Sequence, residues 1–437
     1  MIQFKYPLLA AATLTVLLAA CGGSGSTPVA VTERQTAYGA IEGVDNSTAN
    51  GTYAWLGVPF AKPPVGSLRW KSPVEPSAWS TKLATKSFGN ACLQNGRIYG
   101  PGSNNKYDAT IGTTLNTPVG SEDCLTLNIW RPASADTNLP VLFFIYGGSN
   151  ISGYTADPVY DGAALAKNAN AVVVTANYRV GPLGFFNLPQ LKTGAGANDA
   201  SGNFALLDNI QALKFVKQNI GNFGGNAGNV TVMGQSAGAI NTWALMTSPL
   251  TTGLFHKAIP ISGGISLASN LPPGSLPTLN PASSFLTQAN SLLYNLLIAD
   301  GKATDTASAK TYVATQTDTQ IADYMRAKDG GTLLSTLLAK GLTSSGPIPD
   351  GAVIPTDPIG AIAAGNYRKI PVLAGNTADE GKLFAPFLPL LGGPAGMIVT
   401  DAVRFNMMFT FNPDAAPTLT SADILNSAYL PVATPST

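Results

Sequence analysis

Ser236 stands at the centre of Gly-Gln-Ser-Ala-Gly, residues 234 to 238, directly after the β-rich run Val230–Met233 and before a helix-compatible stretch from about Ala237 to Thr247. A serine hydroxyl becomes a nucleophile when a base takes its proton. The small neighbours suit the tight, strained elbow that presents such a hydroxyl. The helix N-terminus behind it would aim backbone N–H groups at the same spot. Upstream, "FIYGGSN" (Phe144–Asn150) is a strand breaking into a glycine loop, where further N–H donors could stabilise an oxyanion. Read alone, that loop is equally a structural Gly-Gly turn. The proton acceptor is the difficulty, because the chain contains one histidine, His256. The helix after Ser236 carries the chain about 15 Å from the elbow, and His256 then precedes the next parallel strand. It is expected near the opposite, N-terminal edge of the sheet, as a helix-end or surface residue.

The elements that must position these groups are legible as short apolar runs: "VLFFIY" from Val141, "AVVVTAN" from Ala171, "VTVM" from Val230, "KAIPIS" from Lys257 and "IPVLAG" from Ile370. Such runs read as strands buried on both faces. Between some of them lie helices, most clearly "LLDNIQALKFVKQNI", where Leu206, Ile210, Leu213, Val216 and Ile220 make one apolar stripe. Strands alternating with helices predict an α/β fold, a mostly parallel central sheet covered on both faces. From about residue 264 to 345 the strand signal lapses into helical patches separated by Pro/Gly turns, which reads as an insertion over one end of the sheet. No internal repeat is present.

Composition bounds the function classes. Hydrophobic residues make up 45% of the 437 and charged ones 11%, so a large core is available and a disordered chain is excluded. One domain with large insertions fits this length. With 25 basic and 24 acidic residues there is no run of like charge and nothing that suggests nucleic acid. Lys5 followed by the apolar run Leu8–Ala20 matches a secretory signal over residues 1–20, too short as a helix to cross a bilayer. The run ends in "LAAC", which resembles the lipobox of bacterial lipoproteins, with Cys21 as the lipidated residue; plain signal cleavage beside a chance cysteine is the alternative. The Gly/Ser run that follows makes residues 21–32 a flexible linker to a body spanning 33–437. Localisation is therefore expected to be exported, in a bacterial cell envelope or secreted, with membrane contact only through the lipid anchor. The remaining cysteines, Cys92 and Cys124, form an even pair in an exported chain, so a disulfide is expected. No Cys/His metal cluster can be assembled, and no cofactor is called for.

The chain resembles the type-B carboxylesterases, the α/β-hydrolase family that includes cholinesterases, from about residue 36 to 384. The resemblance rests on "YAWLGVPFAKPPVGSLRW", "SEDCLTLNIWRP", "YGGSNISG", "VVVTANYRVGPLGFF", "GNFALLDNIQALKFVKQNIGNFGG", "VTVMGQSAGA", "GLFHKAIPISG" and "GNTADEGKLF", all in family order. It implies an α/β-hydrolase fold with Ser236 as nucleophile and Glu380 as the acid that orients the catalytic histidine. Gly148, Ser149 and Ala237 fall on the oxyanion-hole donors, Cys92 and Cys124 on a disulfide near the gorge, and Phe384 near the acyl pocket. Three departures stand out. Ser149 replaces a glycine that is usual in the family, Gln235 replaces an acid, and the 57 residues after Glu380 (437 − 380) contain no histidine. The expectation is the front four-fifths of an exported serine esterase, acting on small-molecule carboxylic esters through an acyl-enzyme and impaired without its histidine. Two alternatives stand beside it: a non-catalytic cholinesterase-like binding module, and a lipase-like enzyme whose 264–345 insertion forms a lid. Retention of both Ser236 and Glu380 weighs against the first.

Overall fold

Seven strands build the central sheet: β1 (Val44–Asn46), β2 (Thr52–Pro59), β3 (Thr126–Pro132), β4 (Leu139–Ile145), β5 (Val172–Ala176), β6 (Gly225–Gln235) and β7 (Lys257–Ile261). They lie in the order β7-β6-β4-β5-β3-β2-β1. The computed structural model describes residues 31–267, 270–271, 277–342, 345–378 and 380.

The sheet is mixed rather than mostly parallel. β7, β6, β4 and β5 pair in parallel, while β5–β3, β3–β2 and β2–β1 are antiparallel. The reason lies in the strand chemistry. All five residues of β5 are buried, the pattern of a doubly covered parallel strand. The antiparallel strands interleave polar residues such as Thr52 and Asn128 with Trp55 and Ile129, which hides them from a search for continuous apolar runs. "IPVLAG" is not a full strand of the ladder. Val372 and Gly375 make single parallel bridges to Ala258 and Ile261, and Leu373 is 69% exposed.

Side-chain alternation along β5 divides the core between the two faces of the sheet. Val173 packs with Ala54, Trp130 and the small residues Ala163 and Ala166 of helix α1 (Ala163–Ala169). Val172 and Val174 belong to the large cluster that takes in α2 (Phe204–Asn219) and α3 (Ala237–Thr247). α2 carries more than one apolar stripe: of its 16 residues, only Lys214, Lys217 and Gln218 escape burial, and Asp208 and Asn209 are inside. Beyond β7, helices α4 (Ala282–Ala299), α5 (Thr306–Ala314), α6 (Asp318–Arg326) and α7 (Gly330–Ala339) share a second apolar cluster with Trp70, Phe186 and Leu188. Side-chain caps from Asp305, Thr317 and Asp329 start the last three of these. A short helix α8 (Pro358–Ala363) follows, and Ile362 packs against the main cluster.

Candidate active site

Ser236 joins β6 to α3 with φ 56° and ψ −122°, a region that non-glycine residues rarely enter. Such a conformation costs of order 1–3 kcal/mol and persists only where the surroundings enforce it. Here the Ser236 N–H donates to Ile261 O at 2.9 Å, and its carbonyl accepts from Ala239 N at 2.9 Å and Ile240 N at 3.1 Å. The strand end and the helix start are thus clamped on either side of the serine. The small neighbours are a steric requirement: a Cβ on Gly238 would lie 2.0 Å from Ile145 O. Any side chain there would push α3 off the end of β4.

That contact brings the glycine loop to the serine. A Cβ on Gly147 would stand 3.0 Å from Ser236 Cβ and 2.8 Å from Gln235 O, so the two segments touch backbone to backbone. The next three residues all take positive φ, Gly148 at 107°, Ser149 at 57° and Asn150 at 56°. The turn closes when Ile151 N and Ser152 N donate to Gly148 O at 3.0 and 3.1 Å. The N–H groups of Gly148 and Ser149 have no acceptor among the described residues. Ala237, the first residue of α3, adds an N–H that no helical carbonyl can take. Free, preorganised N–H donors beside a serine hydroxyl are what charge developing on an ester oxygen requires.

Asn150 anchors the loop from behind. Its carbonyl accepts from Gly181 N at 2.6 Å and from Ser345 Oγ at 2.8 Å, and its side-chain oxygen accepts from Asn241 Nδ2 of α3 at 2.8 Å. Gly181 is itself held through Arg179, whose N, Nε and Nη2 all donate to Asp208 of α2 at 3.0, 2.8 and 2.7 Å. This pair is almost fully buried, with side chains 4% and 0% exposed.

Glu380 is placed through Ser262. Its Oε1 accepts from Thr377 N at 2.9 Å. The Ser262 hydroxyl and that N–H, in this order of weight, hold the Glu380 carboxyl below the usual carboxylate range. Ser262 has φ 56° and donates its N–H to Gly375 O at 2.8 Å. The adjoining Gly263 lies against Ser236: its Cβ position is 2.4 Å from Ser236 O, and its carbonyl accepts from Trp243 Nε1 at 3.0 Å. Ser262 therefore links the acid to the serine's immediate surroundings, although no sequence motif singles it out. Its only signal is a polar residue closing the strand "KAIPIS" just before two glycines.

His256 does not join them. Its backbone N donates to Val230 O at 2.8 Å, and its Nδ1 accepts from Val230 N at 3.2 Å. Val230 is six residues before Ser236 along the chain, about 20 Å of strand. The imidazole pKa is pushed down by burial first, then by Arg368, Lys217 and Lys257. Among the described residues no group of three or more His, Cys, Asp or Glu could hold a metal ion.

Cys92 and Cys124 are bridged, with a sequence separation of 32. Beyond the 147–150 loop lies a cavity of about 140 Å³. Ile151, Val180, Leu334, Leu337 and Leu338 form its apolar wall, and Gln94 borders it. A cavity near this size holds one benzene ring. Phe384 and Cys21 lie outside the described residues.

Comparison with known proteins agrees with this geometry. The model of the "Carboxylesterase family" matches residues 30–392. Fumonisin B1 esterase of Sphingopyxis macrogoltabida is 37% identical over 359 residues, 82% of this chain and 58% of that protein. Para-nitrobenzyl esterase of Bacillus subtilis (strain 168) is 36% identical over 352 residues, 80% of this chain and 63% of that protein. The chain thus spans about three-fifths of the length of these relatives. Among solved structures, a Geobacillus stearothermophilus carboxylesterase superposes with a TM-score of 0.65 at 31% identity, covering 86% of this chain and 69% of its own. An ordered elbow, a glycine loop against it, an acid beside it and a family match across more than four-fifths of its length place this chain in the carboxylesterase family.

Proposed function

We propose that the protein is an exported serine carboxylesterase, acting on small carboxylic esters through an acyl-enzyme on Ser236. The observation that carries this reading is the Ser236 elbow held at positive φ against Gly147, with Ser262 and Glu380 behind it. In the proposed reaction Ser236 Oγ attacks the ester carbonyl and its proton passes to an imidazole. The N–H groups of Gly148, Ser149 and Ala237 receive the charge on the carbonyl oxygen. The alcohol departs with the proton, and water then releases the acid. Glu380, ionised and steadied by Ser262, orients the imidazole. His256, held at Val230 at the other end of the sheet, is not that imidazole. Cys21 is proposed as the lipidated residue that tethers the body to a membrane.

The experiment compares p-nitrophenyl acetate hydrolysis by the 437-residue chain with that of a fusion carrying the histidine-bearing C-terminal part of a relative. In the serine protease subtilisin, loss of the triad histidine lowers turnover about 10⁶-fold, and roughly 10³ over water remains. The chain alone should work barely above background and lose no more than a few-fold with Ser236→Ala. The fusion should gain several orders of magnitude, and Ser236→Ala should abolish that gain. A folded fusion with no gain would sink the reading; robust turnover by the chain alone, lost with His256→Ala, would show that the base is misassigned.

A further inference from the structure

At the end of the sheet opposite Ser236, cations gather around His256, while the carboxylate of Glu75 lies to one side at the Tyr38 hydroxyl. Lys217 leaves the C-terminal turn of α2 and reaches Gly253, with its Nζ 3.2 Å from that residue's Cβ position. Lys257 opens β7 and donates to Asn229 Oδ1 at 2.7 Å, while Arg368 lies over the Phe255 ring at 5.4 Å. Exposed Lys369 follows. Lys217, Lys257 and Arg368 all lie near enough to His256 to disfavour its protonation.

The clustering comes from how two segments fold together. From Asn209 to Ala299 the chain contains no Asp or Glu, and none occurs from Pro358 to Ala378. Both segments contribute to this end of the sheet, so no carboxylate among the described residues pairs with any of the four cations. In a protein of net charge +1, such a one-signed face is a local concentration rather than a bulk property.

The N-terminal segment enters at this same end. Ala37 N donates to Asn219 Oδ1 at 2.7 Å, Asn222 Nδ2 to Gln35 O at 2.6 Å, and the Tyr38 hydroxyl to Gln218 Oε1 at 3.3 Å, all next to Lys217. The acids on this segment are neutralised locally, Glu33 by Lys82 and Glu42 by Lys82 and Lys86. From Cys21 to Thr32 is 11 residues, a reach of at most about 40 Å when fully extended.

We propose that the face formed by Lys217, Lys257, Arg368 and Lys369 docks on an anionic lipid bilayer, leaving the Ser236 end of the sheet turned away from the membrane. Nothing in this depends on the esterase reading. The short leash from the tether proposed at Cys21 favours lipid over other polyanions, because it keeps this end of the body within reach of the surface. Contact is electrostatic, not insertional, and each cation near an anionic surface raises the partition coefficient about five-fold at physiological salt.

The test is co-sedimentation of the full chain with vesicles of pure phosphatidylcholine and of phosphatidylcholine with 30% phosphatidylglycerol, in Lys217→Gln/Lys257→Gln and wild type alike. The leader and any lipid are common to both proteins, so the increment due to phosphatidylglycerol isolates the face. It should fall about 25-fold in the double variant and vanish at 0.5 M salt. Orientation is read in a Cys21→Ser background, where a fluorophore on Thr252→Cys should be quenched by a headgroup-labelled lipid and one on Ser266→Cys should not. Equal binding to both vesicles, an undiminished increment in the double variant, or quenching at 266 instead of 252 would overturn the proposal. Tighter binding to a soluble polyanion than to the anionic vesicle would overturn it as well.

Discussion

Asp208→Asn removes one charge and almost no volume, and it leaves the Arg179 guanidinium buried with no carboxylate. Three Arg179 donors lose their charged acceptor, and a fourth nitrogen, Nη1, is already buried without a partner. Breaking a buried pair from one side costs about 3–5 kcal/mol. An unfolding entropy of about 2.1 cal/mol/K per residue, taken over the roughly 340 described residues, gives about 0.7 kcal/mol per degree. The expected fall in Tm is therefore about 4–7 °C, read by circular dichroism at pH 7.5 in 0.15 M salt. Replacing both partners, Arg179→Met with Asp208→Leu, should restore Tm to within a few degrees, since a well-packed apolar pair spares the desolvation of two ions. Hydrogen exchange at residues 148–152 should quicken in the single variant, because Gly181 would hold Asn150 less firmly. A fall below 1 °C in the single variant, or a double variant less stable than the single one, would refute the assignment of this pair as the support of the 148–152 loop.

Removing the disulfide with Cys92→Ala and Cys124→Ala should cost about 3–4 kcal/mol on the chain-entropy model, seen as a lower urea midpoint with a somewhat steeper slope as the unfolded chain expands. Gly238→Ala should destabilise by more than Gly264→Ala, whose Cβ position has no neighbour nearer than 3.8 Å; thermal scans of the two would reverse the steric argument if they agreed. Glu380 is held below its unfolded-state pKa, so what it contributes is present above the ordinary glutamate range and lost as pH falls through the folded value. Ser262→Ala should move that titration upward, followed by carboxyl carbon NMR. His256 is depressed, so its neutral form stabilises above the unfolded value near 6.5 and stability declines as pH drops below it. His256→Gln should flatten this decline between about pH 7 and 5.

Parts of the site were readable because their chemistry is local. A strand, a serine flanked by small residues and a helix are consecutive along the chain, and α3 begins and ends at Ala237 and Thr247. His256 could be assigned to the far edge from strand direction alone. Ser262 was not readable, since its partnership with Glu380 spans 118 residues (380 − 262) and leaves no periodic trace. The antiparallel half of the sheet was missed because its strands bear polar residues that pair across the ladder, as Asn128 does with Thr175. The burial of Asp208 was likewise hidden, because its partner Arg179 lies on a different element, and a carboxylate on a helix usually faces water.

Asn150 has a consequence for how this scaffold can be altered. One residue in the left-handed region receives a hydrogen bond from the loop after β5, another from Ser345 at the end of the helical insertion, and a third from α3. Three elements distant in sequence are thereby riveted at one point, immediately behind the free N–H groups of Gly148 and Ser149. A recombination experiment that exchanges the 264–345 segment between relatives therefore preserves this anchor only if the incoming segment returns a hydroxyl to the position of Ser345. Crossovers placed just before that residue keep the recipient's own Ser345 and its bond to Asn150, whereas those placed just after it keep the loop aligned only where the incoming segment ends in a hydroxyl-bearing residue. Libraries built on this fold can use that single junction to vary the helices between 282 and 339 while leaving the anchor of the 148–150 loop intact.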